Sequence, residues 1–425
     1  MRRPLTVLAS LAVAAAAAAP ADASSVDSSS RLIPPAVVQA GEPMREVAPR
    51  RVPTFDSGLS IPAPSGPVGT ALAEVPLDPR VGLSSAAQQF RVAYTTVNQH
   101  GQPTVSTGAV FLPHGQAPAS GWPVLAWAHG TVGLGDECAP SINERSARDA
   151  EYLNRWLDLG YAVVATDYAG LGTPGAHSYL NGHVAATNVV DSIQAAHQAS
   201  FGPSLSKRWA VIGQSQGGGV ALHVAHRATA LSSQLGLDYR GAVATGAPAY
   251  IEEIVIAAGP TFPPVPLPSG LTTYGLYILA AVEEAHPHLD INSALTPEGR
   301  FMVDQATRSC YSEVAAASAG TSLSRAFSRP LSDVPGLAPA IRSFMSTPTA
   351  GYDRPVFVGH GLTDIDVPSP IGIALNSQLW LNQFAANAGA RNARVEVRWY
   401  PADHSGTVNL STTHSAPFLS EIFAD

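Results

Sequence analysis

The sequence predicts an α/β protein: a mostly parallel central sheet flanked by helices, with one inserted helical cap or lid. Three observations carry this prediction. Short apolar runs that end in glycine or a polar turn alternate with segments of helical spacing, and strands alternating with helices imply a mostly parallel sheet covered on both faces. An antiparallel strand pair precedes the alternation. About a hundred residues from Tyr250 to Ala350 then lack a clear core strand and contain Pro-broken helical pieces. With 425 residues, 45% of them apolar, the chain is long enough to bury one large core or two smaller ones.

From the N-terminus, Arg2 and Arg3, the apolar run Leu5 to Ala19, and Ala21-Asp22-Ala23 have the three-part layout of a secretory signal peptide. Cleavage is expected after Ala23, so residues 1–23 are lost and the mature protein is secreted. The run is short for a bilayer span, and no later stretch is long and apolar enough to be one. Loss of Arg2, Arg3 and Asp22 takes the formal charge from −8 to −9. With only 13% charged residues and no basic stripe to neutralise phosphates, nucleic-acid binding is excluded.

Residues 24–79, rich in Pro, Ser and Ala, read as an exposed leader followed by loops packed on the domain. Phe90 to Val97, a turn at Asn98 to Gly101, and Val105 to Leu112 form the antiparallel pair. Strands follow at Pro123 to Ala128, Ala162 to Thr166, Trp209 to Ile212, Gly241 to Ala244, Arg354 to Val358 and Val395 to Trp399. Helical spacing marks Ala147 to Leu159, His183 to Ser200, Gly218 to Leu231 and Ile373 to Ala388. The α/β core therefore comprises residues 80–249 and 351–425, and the inserted helical cap residues 250–350. Within the cap, Leu271 to Val282 suits either an ordinary buried helix or a lid that touches substrate.

The two cysteines, Cys138 and Cys310, are expected to pair, because an exported chain meets conditions in which disulfides persist. Neither sits in a motif that lowers a thiol pKa, which argues against a thiol nucleophile.

The chemistry centres on Gly213-Gln214-Ser215-Gln216-Gly217, between the strand ending at Ile212 and the helical segment beginning at Gly218. A serine on a tight strand-to-helix turn is raised at the carboxyl end of the sheet, and the flanking glycines leave room for that turn. The alternative is a Gly-rich turn in which Ser215 merely caps the helix. A serine nucleophile needs a base, and the base an orienting carboxylate, in the chain order Ser, acid, His. Asp364 follows the strand Arg354 to Val358 and is the expected acid; Asp366, two residues on, is the alternative.

Of the thirteen histidines most precede the acid, His129, His177, His183, His223 and His226 among them. His404, directly after the last strand, is the expected base, with His360 structural and His414 at the surface. The oxyanion donors are expected to be the amides of Gln216, the residue after the nucleophile, and Thr131, in the turn after Pro123 to Ala128; Val132 and Gly133 are alternatives to Thr131.

Several segments together resemble the secretory lipase family of α/β-hydrolases: His129-Gly130-Thr131, Cys138-Ala139-Pro140-Ser141, Asp167-Tyr168-Ala169-Gly170-Leu171-Gly172-Thr173-Pro174-Gly175, the Ser215 elbow, and the acid and histidine turns. The resemblance implies the α/β-hydrolase fold, hydrolysis of carboxylic esters, often acylglycerols, through an acyl-enzyme with no metal or other cofactor, a helical lid, and pairing of Cys138 with Cys310. Its expected partner is a lipid or other ester substrate, with lipid-interface contact through the cap. A short-chain carboxylesterase, an acyltransferase or an amidase would use the same triad, and a catalytically silent binding module is the reading from another class.

Overall fold

Side chains along each central strand alternate between two apolar layers, and this alternation builds the larger of two units. The computed structural model describes residues 41–263, 265–386 and 393–424, so the expected signal peptide and residues 24–40 lie outside the described residues. Among the described residues, the larger unit comprises Arg50–Tyr250, Arg308–Cys310 and those from Phe344 onward; the smaller comprises 41–49, those within Ile251–Thr307, and Tyr311–Ser343.

In the larger unit β1 (Ala71–Pro76), β2 (Ala86–Val97), β3 (Pro103–Pro113), β4 (Trp122–Ala128), β5 (Ala162–Thr166), β6 (Leu205–Gln214), β7 (Asp238–Thr245), β8 (Val356–Gly361) and β9 (Val395–Tyr400) form one sheet. Their order is β1-β2-β3-β5-β4-β6-β7-β8-β9. The pairings from β1 to β5 are antiparallel, and those from β5 through β4 and β6 to β9 are parallel. The crossovers are α1 (Ala147–Asp158), α2 (Gly182–Gln198) and α3 (Gln216–Ser233). Ser146 accepts from the Asp149 amide and Asn181 from the Val184 amide, so a side-chain oxygen opens each of the first two helices.

Val124 and Ala126 of β4, Val211 of β6, Ala242 of β7 and Val356 of β8 face a layer that includes Val189 and Ile193 of α2 and Leu222 of α3. The intervening Leu125, Trp127, Ile212, Val243 and Phe357 pack with Trp156 of α1. Period-two alternation in strands covered on both faces therefore fills both layers, each fully buried side chain contributing about 1.5–3 kcal/mol.

The segment 24–79 is not all leader and loops. β1 lies within it, pairing with β2 from Ala71 opposite Tyr94 to Pro76 opposite Phe90. Most of its residues are only half-buried and it ends in proline, so it carries no strong apolar run.

The smaller unit is helical: α4 (Ile251–Ile256), α5 (Ser269–Ala285), α6 (Pro297–Thr307), α7 (Tyr311–Ala317) and most of α8 (Leu337–Met345). Leu276, Tyr277 and Leu279 of α5, Met302 and Val303 of α6, and Val314 of α7 are buried. Arg325 pairs with Glu298 at 2.9 Å and Arg342 with Glu253 at 2.6 Å. The described N-terminal residues belong here, with the Glu42 amide donating to Gly320 and the Arg45 amide to Ala317. Back in the larger unit, α9 (Ser369–Ala386) joins β8 to β9 and α10 (Gly406–Ala424) ends the chain, its Phe418 and Leu419 in the same layer as Trp156.

Cys138 and Cys310, 172 residues apart, form a disulfide with their Cα atoms 5.5 Å apart. Replacing both with serine is expected to cost about 2–4 kcal/mol, by freeing that long loop in the unfolded chain, measured by denaturant unfolding of the oxidised protein and the variant.

A buried carboxyl also loads the fold. Asp191 of α2 accepts from Thr96 Oγ1 of β2 at 2.6 Å, and Asn188 donates to the same hydroxyl. Burial raises the Asp191 pKa to about 7, opposed by the Thr96 hydrogen bond. Because the folded-state value exceeds the unfolded one, stability falls as pH rises from about 4 to about 7. Asp191→Asn, which retains an acceptor for Thr96, is expected to stabilise the protein by about 1–3 kcal/mol at pH 8, with the gain vanishing toward pH 4; thermal melts across that range test it.

Candidate active site

Ser215 occupies the turn between β6 and α3 with φ 58° and ψ −123°, a conformation that residues other than glycine rarely adopt. The flanking glycines are a steric necessity. A Cβ at Gly213 would lie 2.0 Å from the Gly217 carbonyl oxygen, and one at Gly217 would lie 1.8 Å from the Ala128 carbonyl oxygen. The Ser215 amide donates to Thr245 at 2.9 Å, locking the turn to the end of β7. Its side chain makes no capping hydrogen bond to α3, so the plain helix-cap role is not the one it plays.

Asp364 and His404 are brought together from the turns after β8 and β9. His404 Nδ1 lies 2.7 Å from Asp364 Oδ2, both residues being buried. Asp364 Oδ1 accepts from the amides of Asp366 and Val367 at 3.0 and 2.8 Å, which fixes the carboxylate plane. Of the two candidate acids, Asp364 faces the imidazole, and the Asp366 backbone helps to hold it. With Nδ1 committed to Asp364, His404 Nε2 is left buried and without a hydrogen-bond partner among the described residues.

The His404 ring sits over the end of β7. A Cβ at Gly246 would come within 2.8 Å of its Cε1, and Gly246 follows Thr245, whose carbonyl accepts from the Ser215 amide. One strand end thus supports both the serine and the histidine.

His360 is buried, its Nε2 3.0 Å from the Val367 carbonyl and 3.8 Å from Asp364 Oδ2, so it packs behind the acid turn. Burial lowers its pKa against the pull of Asp364. His414 is exposed and contacts Tyr400 and Thr413.

Gln216 is buried at the first position of α3. Gly130 brings the turn after β4 against Ser215, since a Cβ there would lie 3.4 Å from Ser215 Cβ. Thr131 follows, its hydroxyl 2.7 Å from that of Tyr179. His129 Nδ1 faces the Gly130 carbonyl at 2.7 Å and Nε2 the Asp167 carbonyl at 3.1 Å. Gly133 pairs with Cys310 in an isolated bridge, so the disulfide fastens residues 308–310 to this same turn.

Sequence reasoning did not single out Asp167 as a structural hub. Its buried carboxylate accepts from Thr107 Oγ1 at 2.6 Å, the Ser141 amide at 2.8 Å and the Ser141 hydroxyl, tying the Cys138–Ser141 segment to the glycine-rich loop after β5. His177, Tyr179 and Gly246 were missed as well. His177 was set aside for preceding the acid in the chain, and no spacing marks the other two; only the contacts reveal them. Among the described residues no group of three or more His, Cys, Asp or Glu side chains is placed to hold a metal ion, and no helix is long and apolar enough to cross a membrane.

The comparisons agree with this architecture. The crystal structure of Candida antarctica lipase A in its closed state superposes with a TM-score of 0.66 at 18% identity, covering 84% of this chain and 83% of that one. A ligand-bound form of the rice cell wall degrading esterase LipA from Xanthomonas oryzae gives a TM-score of 0.65 at 17% identity, covering 82% and 98%. At these identities the likeness establishes the α/β-hydrolase fold. No match was found among curated protein sequences. The family model for secretory lipases matches residues 145–372, more than half of the chain and the stretch that holds Ser215 and Asp364, and the chain therefore belongs to the secretory lipase family.

Proposed function

We propose that the protein is a secreted serine hydrolase that cleaves carboxylic esters, with acylglycerols as its preferred class, through an acyl-enzyme on Ser215. The observation that carries this reading is the His404–Asp364 pair at 2.7 Å, its outer nitrogen unpartnered among the described residues, over Gly246, which follows the Thr245 that holds the strained Ser215 elbow.

In the proposed reaction Ser215 Oγ attacks the ester carbonyl while its proton passes to His404 Nε2, and Asp364 stabilises the resulting imidazolium. The amides of Gln216 and Thr131 receive the negative charge of the tetrahedral intermediate. Its collapse expels the alcohol, which takes the proton from His404. Water, deprotonated by the same nitrogen, then attacks the acyl-enzyme and releases the carboxylic acid and free Ser215.

An apolar substrate is supported by exposed apolar side chains beside the acid turn, Leu362 at 56% and Ile365 at 66% exposure, and by Ile373 and Trp380 further along α9, a helix with no charged residue. Secretion is supported by the family and by the disulfide. Contact of the segment expected to form a cap with a lipid surface belongs to the same proposal, and activity that climbs once a soluble ester exceeds its solubility limit is its expected sign.

The test is hydrolysis of p-nitrophenyl esters from acetyl to palmitoyl by the mature protein and Ser215→Ala. The alanine variant is expected to lose about 10³-fold or more in kcat, and an optimum among the longer chains to mark a lipase rather than a short-chain esterase. A folded wild-type protein inactive on every ester would sink the reading in favour of an amidase, a transferase or a binding module.

Asp364→Asn is expected to lower kcat about 10²–10⁴-fold at little cost in KM, because the amide cannot orient or stabilise the imidazolium. Asp366→Asn, which keeps the backbone amide that holds Asp364, is expected to stay within about threefold of wild type. Equal losses in the two variants would contradict this assignment of the acid.

A further inference from the structure

Behind the two candidate oxyanion amides lies a cluster of rings that the reaction above leaves unused. Gln216 Nε2 lies 3.0 Å from His177 Nε2. A carboxamide nitrogen only donates, so His177 Nε2 is the bare nitrogen and the ring proton sits on Nδ1, which faces the Ala169 carbonyl at 3.4 Å. Burial, with His129 second, lowers the His177 pKa to about 3, so the acceptor keeps its lone pair at neutral pH.

The same ring reaches the other arm. It stacks on Tyr168 with centroids 5.8 Å apart and 14° between planes, and meets Tyr179 edge-on at 6.3 Å. Tyr168 packs on His129 at 4.4 Å and donates its hydroxyl to the His129 carbonyl at 3.3 Å. The Tyr179 hydroxyl shares its 2.7 Å hydrogen bond with Thr131. Tyr168 holds a left-handed φ of 66°, a strained backbone at the residue that joins His177 to the His129 arm.

Two amides on different loops must converge on one oxygen to within a few tenths of an ångström to stabilise it. We propose that His177 is a positioning residue that couples them: it holds Gln216 by a hydrogen bond and the His129–Thr131 arm through Tyr168 and Tyr179. This rests on the ester-hydrolase reading of Ser215. His177 touches no reacting atom in this scheme; its effect is on how well the site fits the tetrahedral intermediate, not on how well it binds the planar ester.

The test compares wild type with His177→Phe, which keeps a ring against both tyrosines but offers no acceptor, and His177→Gln, which returns an acceptor oxygen. The readouts are kcat and KM on p-nitrophenyl butyrate per site titrated with a fluorophosphonate, and inhibition by a trifluoromethyl ketone, which forms a tetrahedral adduct. The Phe variant is expected to lose about 10–100-fold in kcat, with KM within about twofold and ketone affinity falling by the same factor, and the Gln variant to recover to within about fivefold of wild type. A Phe variant within twofold of wild type per titrated site overturns the inference, and so does a Gln variant as impaired as the Phe variant.

If the Phe variant does not fold, Tyr179→Phe, which removes only the hydroxyl on Thr131, carries the test: a fall of about 3–10-fold in kcat at constant KM supports the coupling, and no change overturns it. Wild-type protein without Ser215-dependent hydrolysis overturns the ester-hydrolase reading and this inference with it; an active, Ser215-dependent enzyme insensitive to these changes overturns the inference alone.

Discussion

The turn at Ser215 is the constraint on which the site's geometry depends. A left-handed residue between β6 and α3 can persist only if surrounding contacts outweigh its strain, and here they are backbone contacts: the Ser215 amide on Thr245, and Gly213 and Gly217 packed where a Cβ would strike carbonyl oxygens. Because Gly217 packs on the end of β4 and Ser215 bonds to the end of β7, the turn is clamped by strands on either side of β6. A serine placed by backbone contacts is fixed independently of the mobility of longer side chains around it.

Strand order then distributes the remaining groups. β4 borders β6 on one side and leads into Gly130 and Thr131; β7, β8 and β9 follow on the other and lead into Gly246, Asp364 and His404. Parallel strands deliver all these turns to the same edge of the sheet, so residues as distant in the chain as Gly246 and His404 need no special connection to meet. The antiparallel strands β1 to β3 extend the sheet at its far end and contribute none of them.

What was legible in the sequence follows from how strongly each feature is buried. Strands such as Ala162–Thr166, covered on both faces, are apolar throughout and stood out, as did the elbow, whose glycines are required by contact distances. β1 did not, because its residues are half-buried and a proline ends it. Chain position favoured Asp364 over Asp366, but which carboxylate turns inward depends on contacts that no local pattern encodes. Asp167, Tyr168 and His177 fell within or beside a glycine-rich segment that carried the family resemblance but marked no role for any single residue. Their roles arise from contacts with Ser141, His129 and Gln216, none of which a local pattern encodes.

The histidines show why burial alone does not make a base. His129, His177, His223 and His360 are all buried, and desolvation pulls each below its ordinary pKa. A ring kept neutral in this way is a durable donor or acceptor, but it resists the proton that a general base must carry in the transition state. His129 and His360 turn ring nitrogens to carbonyl oxygens, and His177 turns its bare nitrogen to Gln216. His404 is as buried, yet it has a carboxylate at 2.7 Å on one nitrogen and nothing on the other. The carboxylate fixes the ring's orientation, and the open nitrogen is where the proposed reaction puts the proton. The same residue type thus serves as a rigid strut at one edge of the elbow and as the proposed proton carrier at the other, the difference lying wholly in what faces its two nitrogens.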